Sequence, residues 1–444
     1  MKKLLLSLVL LIGFVSVLSG CGDGNALVIW VGSESVDFYQ EKMDDYVANY
    51  NLAHEEKFPY KVKVKGVDTG TAAATFLDDT DAGADIFTVA HDNLGKLITG
   101  ASAIAPVTDP LLLAQIEADN PDAFLDVIKG QVGGVTYTFG VPYIAQSLVL
   151  YYNKDYITQT QVQTWEGILE AAVAANKQAL SLAGADGFNN SFLLLAMNAD
   201  TKATSLRLYA NGVQEDCYAT GDDLIAIFKW GQRFFTHPNG GKAPTDSGWE
   251  IELKNEVSLS VISGSWDFSA AQAALGTKLA VASLPTFTLT AEDAYGTATE
   301  GTVMQSGSFT DTKMFVMKKN SAKADYLQGI LLYLSSKEIQ EESFEQCANL
   351  PAYKNAVEEF EAFGAVDTLA GQLALAQVEM FSNGIPQPFG FASRYNTYYY
   401  SKGTPDMIMD VLRNKDGAFG THAAIKAQFE IIEVIWKTGI RPTA

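Results

Sequence analysis

Apolar residues recur along the chain in two alternating periods, and their order predicts a fold class. The run "ALVIWV" from Ala26 is unbroken, as in a strand buried on both faces of a parallel sheet. In the following "ESVDFYQEKMDDYVANYN", Val36, Tyr39, Met43, Tyr46, Val47 and Tyr50 fall three or four apart, which places them on one face of a helix. "YKVKVKG" then switches the period to two, with Val62 and Val64 set between lysines as in a half-exposed strand. Ala72 to Leu77 reads as a helix and Asp85 to Ala90 as the next strand. This βαβαβ order predicts a mainly parallel, doubly wound sheet.

A second α/β series follows the strand-like "VTYTFG" and "SLVLYYN". It has helices near Trp165 to Ala179 and Leu224 to Phe235, and strands near Val257 to Ile262 and Leu279 to Leu284. Beyond it come a strand, "TKMFVMK", a helix from Ala322 to Gln346, and a tail from Asn355 that is helical in pattern apart from "NGIPQPFGF". No fixed-period repeat and no low-complexity linker divides the two series. Two α/β lobes joined by several short crossings are expected, an arrangement that suits hinge motion.

The length of 444 residues, 48% hydrophobic and 19% charged, is that of an ordered chain of two or three domains. Its net charge of −21 repels phosphate backbones, so nucleic acid is not an expected partner. The first residues change the picture further. Lys2 and Lys3 precede an apolar core, Leu4 to Leu18, too short to span a bilayer, and "LSGC" ends at Cys21. This segment resembles a bacterial lipoprotein signal, which implies cleavage of residues 1–20, acylation of Cys21 and a lipid-anchored chain at the outer face of the cell membrane. Losing the two lysines takes the net charge to −23. The remaining Cys217 and Cys347 are far apart, with no CxxC and no Cys/His cluster, so a zinc ribbon is excluded and two free thiols are expected.

One strand carries candidate chemistry at its end. In "ADIFTVAHDNLG" the apolar run Ile86 to Ala90 stops at His91, Asp92 and Asn93, and the carboxyl edge of an open α/β sheet is where ligands bind. The trio suits a metal, an acid/base pair or a cradle for a polar ligand. Metal binding finds no support: the four histidines, His54, His91, His237 and His422, have no paired spacing. The chain has no GxSxG, HExxH, P-loop or GxGxxG motif, so neither an enzyme nor a cofactor is expected.

Taken in order, "LVIW", "ADIFTVAHDNLG", "GVPYIAQSLVLYYNKD", "TWEGILEAA", "VISGSWDF", "ASLPTF" and "NGIPQPFGF" resemble the maltose/maltodextrin-type extracellular solute-binding proteins of bacterial ABC importers, over nearly all of the mature chain. The resemblance implies a type II periplasmic-binding-protein-like fold, with each lobe a doubly wound mixed sheet. It implies residues 21–144 and 303–350 in the N-terminal lobe and 145–302 and 351–444 in the C-terminal lobe. It also implies a monomer that closes on an oligosaccharide and delivers it to the membrane subunits of a permease. Glu34 and Asp92 match acidic hydroxyl-binding positions and Trp266 a ring that stacks on the sugar. Asn93 stands where the pattern has an arginine, Gln146 where it has a glutamate, Asn190 where it has an aromatic and Val89 where it has a tryptophan. Phe391, Arg394 and Tyr395 compete for a last stacking role, and Tyr398, Tyr399 and Tyr400 follow as a platform or an exposed turn. The implied roles place Asp92 on the ligand and His91 as a brace for the turn. Alternative readings are the same fold binding a peptide, a phosphorylated sugar or another sugar, and a lipid-anchored glycoside hydrolase working with a carboxylate pair.

Overall fold

The computed structural model describes residues 26–99, 102–183, 187–210, 213–243, 248–356, 368–387, 398–400 and 403–442. The apolar run Ala26–Val31 lies between two parallel neighbours, Lys61–Gly66 and Ile86–Ala90, and is therefore buried almost throughout. Lys61–Gly66 forms the sheet edge, which explains its lysines: Lys61, Lys63 and Lys65 are exposed while Val62 and Val64 pack inward. The long strand Phe309–Lys318 completes this first sheet. It runs antiparallel to Ile86–Ala90 and to Val141–Gln146, and parallel to the short Ile385–Pro386. Its register shifts between Lys313 and Met314 against Val141–Gln146, a local irregularity that re-aims side chains at the strand's midpoint.

The second sheet has the order Gly241–Lys242, Leu180–Leu182, Ser260–Gly264, Leu148–Asn153 and Leu279–Ala282, with the last two strands antiparallel to their neighbours. Only Ser147 separates the end of Val141–Gln146 in the first sheet from the start of Leu148–Asn153 in the second. The apolar side chains fall into separate clusters. One gathers Leu27, Ile29, Phe87, Phe315 and Ile330 around the first sheet, and another gathers Leu150, Trp165, Ile262, Phe228 and Trp436 around the second. Two cores joined by short crossings make two lobes. Each sheet is mixed, because antiparallel strands return across a parallel nucleus.

Local rules account for most element ends. Thr164 starts the helix Trp165–Ala175 by accepting from the Gly167 N–H, and Asn176 ends it in the left-handed conformation. The helix Val36–Ala53 buries Tyr39 and Met43 and half-buries Tyr46, Val47 and Tyr50, as its periodicity predicts. The hairpin Lys129–Val132 with Val135–Thr138 turns on Gly133 and Gly134, whose φ angles of 61° and 82° fit the two-residue turn that matches strand twist. One expected helix is two: Ala324–Leu334 ends before Ser335, and Ser336 accepts from the Ile339 N–H to start Lys337–Cys347. The cap outweighs an apolar period that continues across the break.

Candidate functional site

A cavity of about 560 Å³ opens between the lobes, at the carboxyl ends of the strands of both sheets. From the first sheet and the turns that follow its strands it takes Asp68, Thr69 and Gly70 after Lys61–Gly66, Asp92 and Asn93 after Ile86–Ala90, Gln146 at the end of its strand, Asp311 and Lys313 from the long strand, and Gln387 after Ile385–Pro386. The second lobe supplies Phe188, Asn189 and Trp266, and Tyr400 packs against that lobe's core. Trp266 follows the strand Ser260–Gly264, and its ring folds back so closely over Gly264 that a Cβ there would lie 2.1 Å from a ring carbon. It remains 36% exposed, and Phe188 stands beside it with ring centroids 5.7 Å apart. These rings form an apolar floor open to the cavity.

The charged wall is organised around one buried histidine. His91 is held between the Asp311 carboxylate at Nδ1 and the Gln387 main-chain carbonyl, 3.0 Å from Nε2. Burial alone would lower its pKa, but the charge and hydrogen bond of Asp311, with the Asp92 charge and the Gln387 carbonyl, raise it to about 9. Asp92 accepts from the Asn93 side chain at 2.7 Å. Burial, then the Asp311 charge, push Asp92 above the usual carboxylate range, against the pull of His91, Lys96 and Asn93. Lys313 is buried with its registered partners Ala90 and Ile144 on either side, and burial lowers its pKa although Glu34, Asp311 and Asp68 favour its charge. Among the described residues its ammonium has no ion pair, and it lines the cavity. Gln146 donates to the Ser265 hydroxyl at 3.5 Å, the outer limit of a hydrogen bond, across the junction of the two sheets.

The cavity brings together Asp92, Asn93, Gln146, Trp266 and Tyr400 of the residues singled out from sequence. Glu34 stands exposed in the turn Ser33–Ser35, outside the lining but near enough for its charge to reach Lys313. Asn190 is buried below the lining, its side-chain oxygen and nitrogen without hydrogen-bond partners among the described residues, while its neighbours Phe188 and Asn189 face the cavity. Val89 is a core residue. Phe391, Arg394, Tyr395 and Cys21 lie outside the described residues. Sequence reasoning missed Asp68 and Thr69, which the rule applied to Ile86–Ala90 would have found at the end of "KVKVKG". It also missed Asp311 and Lys313, whose signal is two opposite charges two residues apart at the start of a strand that carries no other charge before Lys318. Phe188 and Asn189 sit on a loop with no pattern to mark them.

This wall can offer carboxylate and amide acceptors, an ammonium donor and flat rings, but among the described residues no group of three or more metal-ligating side chains. Cys347 is a free thiol. No helix among the described residues is long and apolar enough to cross a membrane.

A family model described as bacterial extracellular solute-binding protein matches residues 45–368. No curated protein sequence matches the chain. Among solved structures, the maltodextrin binding protein MalE1 from L. casei BL23, without ligand, is 18% identical with a TM-score of 0.68, covering 92% of this chain and 97% of its own. A cyclo/maltodextrin-binding protein complexed with maltotetraose is 17% identical with a TM-score of 0.66, covering 93% of this chain and 98% of its own. The GacH receptor of Streptomyces glaucescens GLA.O, solved unliganded and with acarbose, is 16% identical with a TM-score of 0.65, again over 93% of this chain and 98% of its own. At such identities the likeness is one of fold, and it extends across both lobes.

Proposed function

The chain belongs to the bacterial extracellular solute-binding proteins, a family of binding proteins rather than enzymes, and on that premise we propose that it captures a neutral oligosaccharide in the cleft between its lobes. The observation that carries the reading is the division of the cavity: hydrogen-bonding charges on one side, Trp266, Phe188 and Tyr400 on the other. A sugar ring has hydroxyls around its edge and C–H groups on its faces, so one molecule can use both walls at once. In this reading Asp92 and Gln146 accept hydroxyls, Asn93 orients Asp92, and Trp266 lies under a ring. Glu34 is proposed at the mouth of the cleft, Asn190 as support for the Phe188 loop, and Phe391, Arg394 and Tyr395 as further contacts. That one structural neighbour is complexed with maltotetraose and another, the GacH receptor, with acarbose favours an α-glucan-like ligand.

Contact with both walls stabilises a closed arrangement by differential affinity, and closure presents the ligand to permease subunits of an ABC importer. We also propose residues 1–20 as a lipoprotein leader and Cys21 as the anchor, holding a monomer at the outer face of the cell membrane. Cys21→Ala should then leave the chain unlipidated. The test of the binding reading is a thermal-shift screen against mono- and oligosaccharides. At least one neutral oligosaccharide should raise the melting temperature and come back uncut after long incubation. Stabilisation only by peptides or sugar phosphates would refute the sugar assignment, and released reducing ends would refute binding without turnover.

A further inference from the structure

Both ring nitrogens of the buried His91 face acceptors, the Asp311 carboxylate at Nδ1 and the Gln387 carbonyl at Nε2. A neutral imidazole carries one N–H, so it would satisfy one acceptor and set a lone pair against the other. Only the doubly protonated ring donates to both. We infer that His91 is a positioning residue held as an imidazolium at neutral pH, which pins the Gln387 main chain to the long strand of the first sheet and thereby sets the cleft for its ligand.

The connections run through the cavity lining without His91 itself touching the ligand space. Asp311 sits on the long first-lobe strand. Gln387 donates its main-chain N–H to Thr310 at 3.1 Å, and its side-chain amide to the Tyr400 hydroxyl at 2.7 Å. Asp311, His91, Gln387 and Tyr400 therefore make one chain of hydrogen bonds from the first sheet to a ring that packs on the second lobe's core. Pulling the proton from His91 breaks that chain at its middle.

The charged groups that face the ring are Asp311 from the strand and Asp92 from its own turn, with the Gln387 carbonyl dipole beside Ile385–Pro386. Lys313 is within reach of the Asp311 charge and Lys96 of the Asp92 charge. Their sum raises the ring from 6.5 to about 9 in the folded protein. A folded pKa above the unfolded one gives a contribution that is whole below 6.5, shrinks as pH rises and is gone above about 9.

The test uses the full chain without ligand, and then with maltotetraose. The His91 ring signal, followed by heteronuclear NMR beside His54, His237 and His422, should titrate near 9 and move down toward the ordinary range in Asp311→Asn. Wild-type affinity for maltotetraose should fall about tenfold between pH 7 and pH 10, the loss of one charge-assisted hydrogen bond. His91→Gln should bind about tenfold more weakly at pH 7 and lose that alkaline step. A ring titrating at or below 6.5, or a His91→Gln protein with the same alkaline step as wild type, overturns the inference. The effect on affinity rests on the sugar-binding reading. If maltotetraose does not bind, the affinity arm moves to whichever neutral oligosaccharide the thermal-shift screen finds, and the ring titration decides on its own. Should His91→Gln not fold, the wild-type titration stands as the test.

Discussion

The first-lobe wall of the cleft presents Asp68, Asp92, Asp311 and Lys313, whereas the second-lobe wall presents Phe188 and Trp266, with Tyr400 beside them. The first is built from strand ends of a sheet whose core is complete without them. Its charges are held by polar neighbours: Asp311 by the His91 ring, Asp92 by the Asn93 amide, Lys313 by the field of three carboxylates. The second is built from rings lying over main chain and loop, with Trp266 lying against Gly264 and left partly open to water. A charged wall costs desolvation when the lobes close and recovers it only through hydrogen bonds to the ligand; a ring wall gains by excluding water. Orientation should therefore come from the first lobe and much of the non-directional affinity from the second.

Removing one element from each wall has the largest expected effect. Loss of a charged hydrogen bond at Asp92 costs about 1.5–3 kcal/mol, and loss of the Trp266 ring contact a similar ~1.5–3 kcal/mol. The side chains stand on different lobes, so the Asp92→Ala/Trp266→Ala double variant should lose the sum, about a hundred- to ten-thousandfold in affinity. Strong non-additivity in calorimetric titration would mean that the two walls do not act separately.

Lys313→Met should separate stability from binding. Burial is the larger influence on this ammonium and outweighs its three carboxylate neighbours, so its removal relieves desolvation. The ligand-free variant is expected to melt at or above the wild-type temperature yet bind oligosaccharide about tenfold more weakly. A lower melting temperature with unchanged affinity would make Lys313 a structural ion and not a ligand donor. The smallest effect is expected at Gln146→Ala, where a neutral hydrogen bond worth about 0.5–1.5 kcal/mol gives a two- to tenfold loss in the same titration.

Most of the fold was legible because each sheet begins with strands of unbroken apolar residues and helices with a clear apolar face, as in Ala26–Val31 and Val36–Ala53. The break at Ser335 and Ser336 was not, since capping is a local hydrogen bond and hydrophobic period is blind to it. Asp92 and Asn93 were found by one rule, that ligands meet strand ends. Asp68 fits the same rule and was passed over. Lys313 was hidden for a different reason: its importance comes from long-range pairing with Ala90 and Ile144, residues more than a hundred positions away. The family resemblance supplied Trp266, and a ring that is 36% exposed is what a stacking residue and a surface tryptophan have in common.

Calorimetric titration of maltotetraose into wild type and into Trp266→Ala, each with a melting curve, tests the claim that a sugar lies between these walls. The account predicts saturable binding to wild type, a ten- to hundredfold loss in the variant and a melting temperature within a few degrees of wild type, because a half-open ring gives up few packing contacts. A variant that melts far lower, roughly the ~3–5 kcal/mol of a buried tryptophan, yet binds maltotetraose as tightly as wild type would contradict it, returning Trp266 to the core and the sugar to some other place.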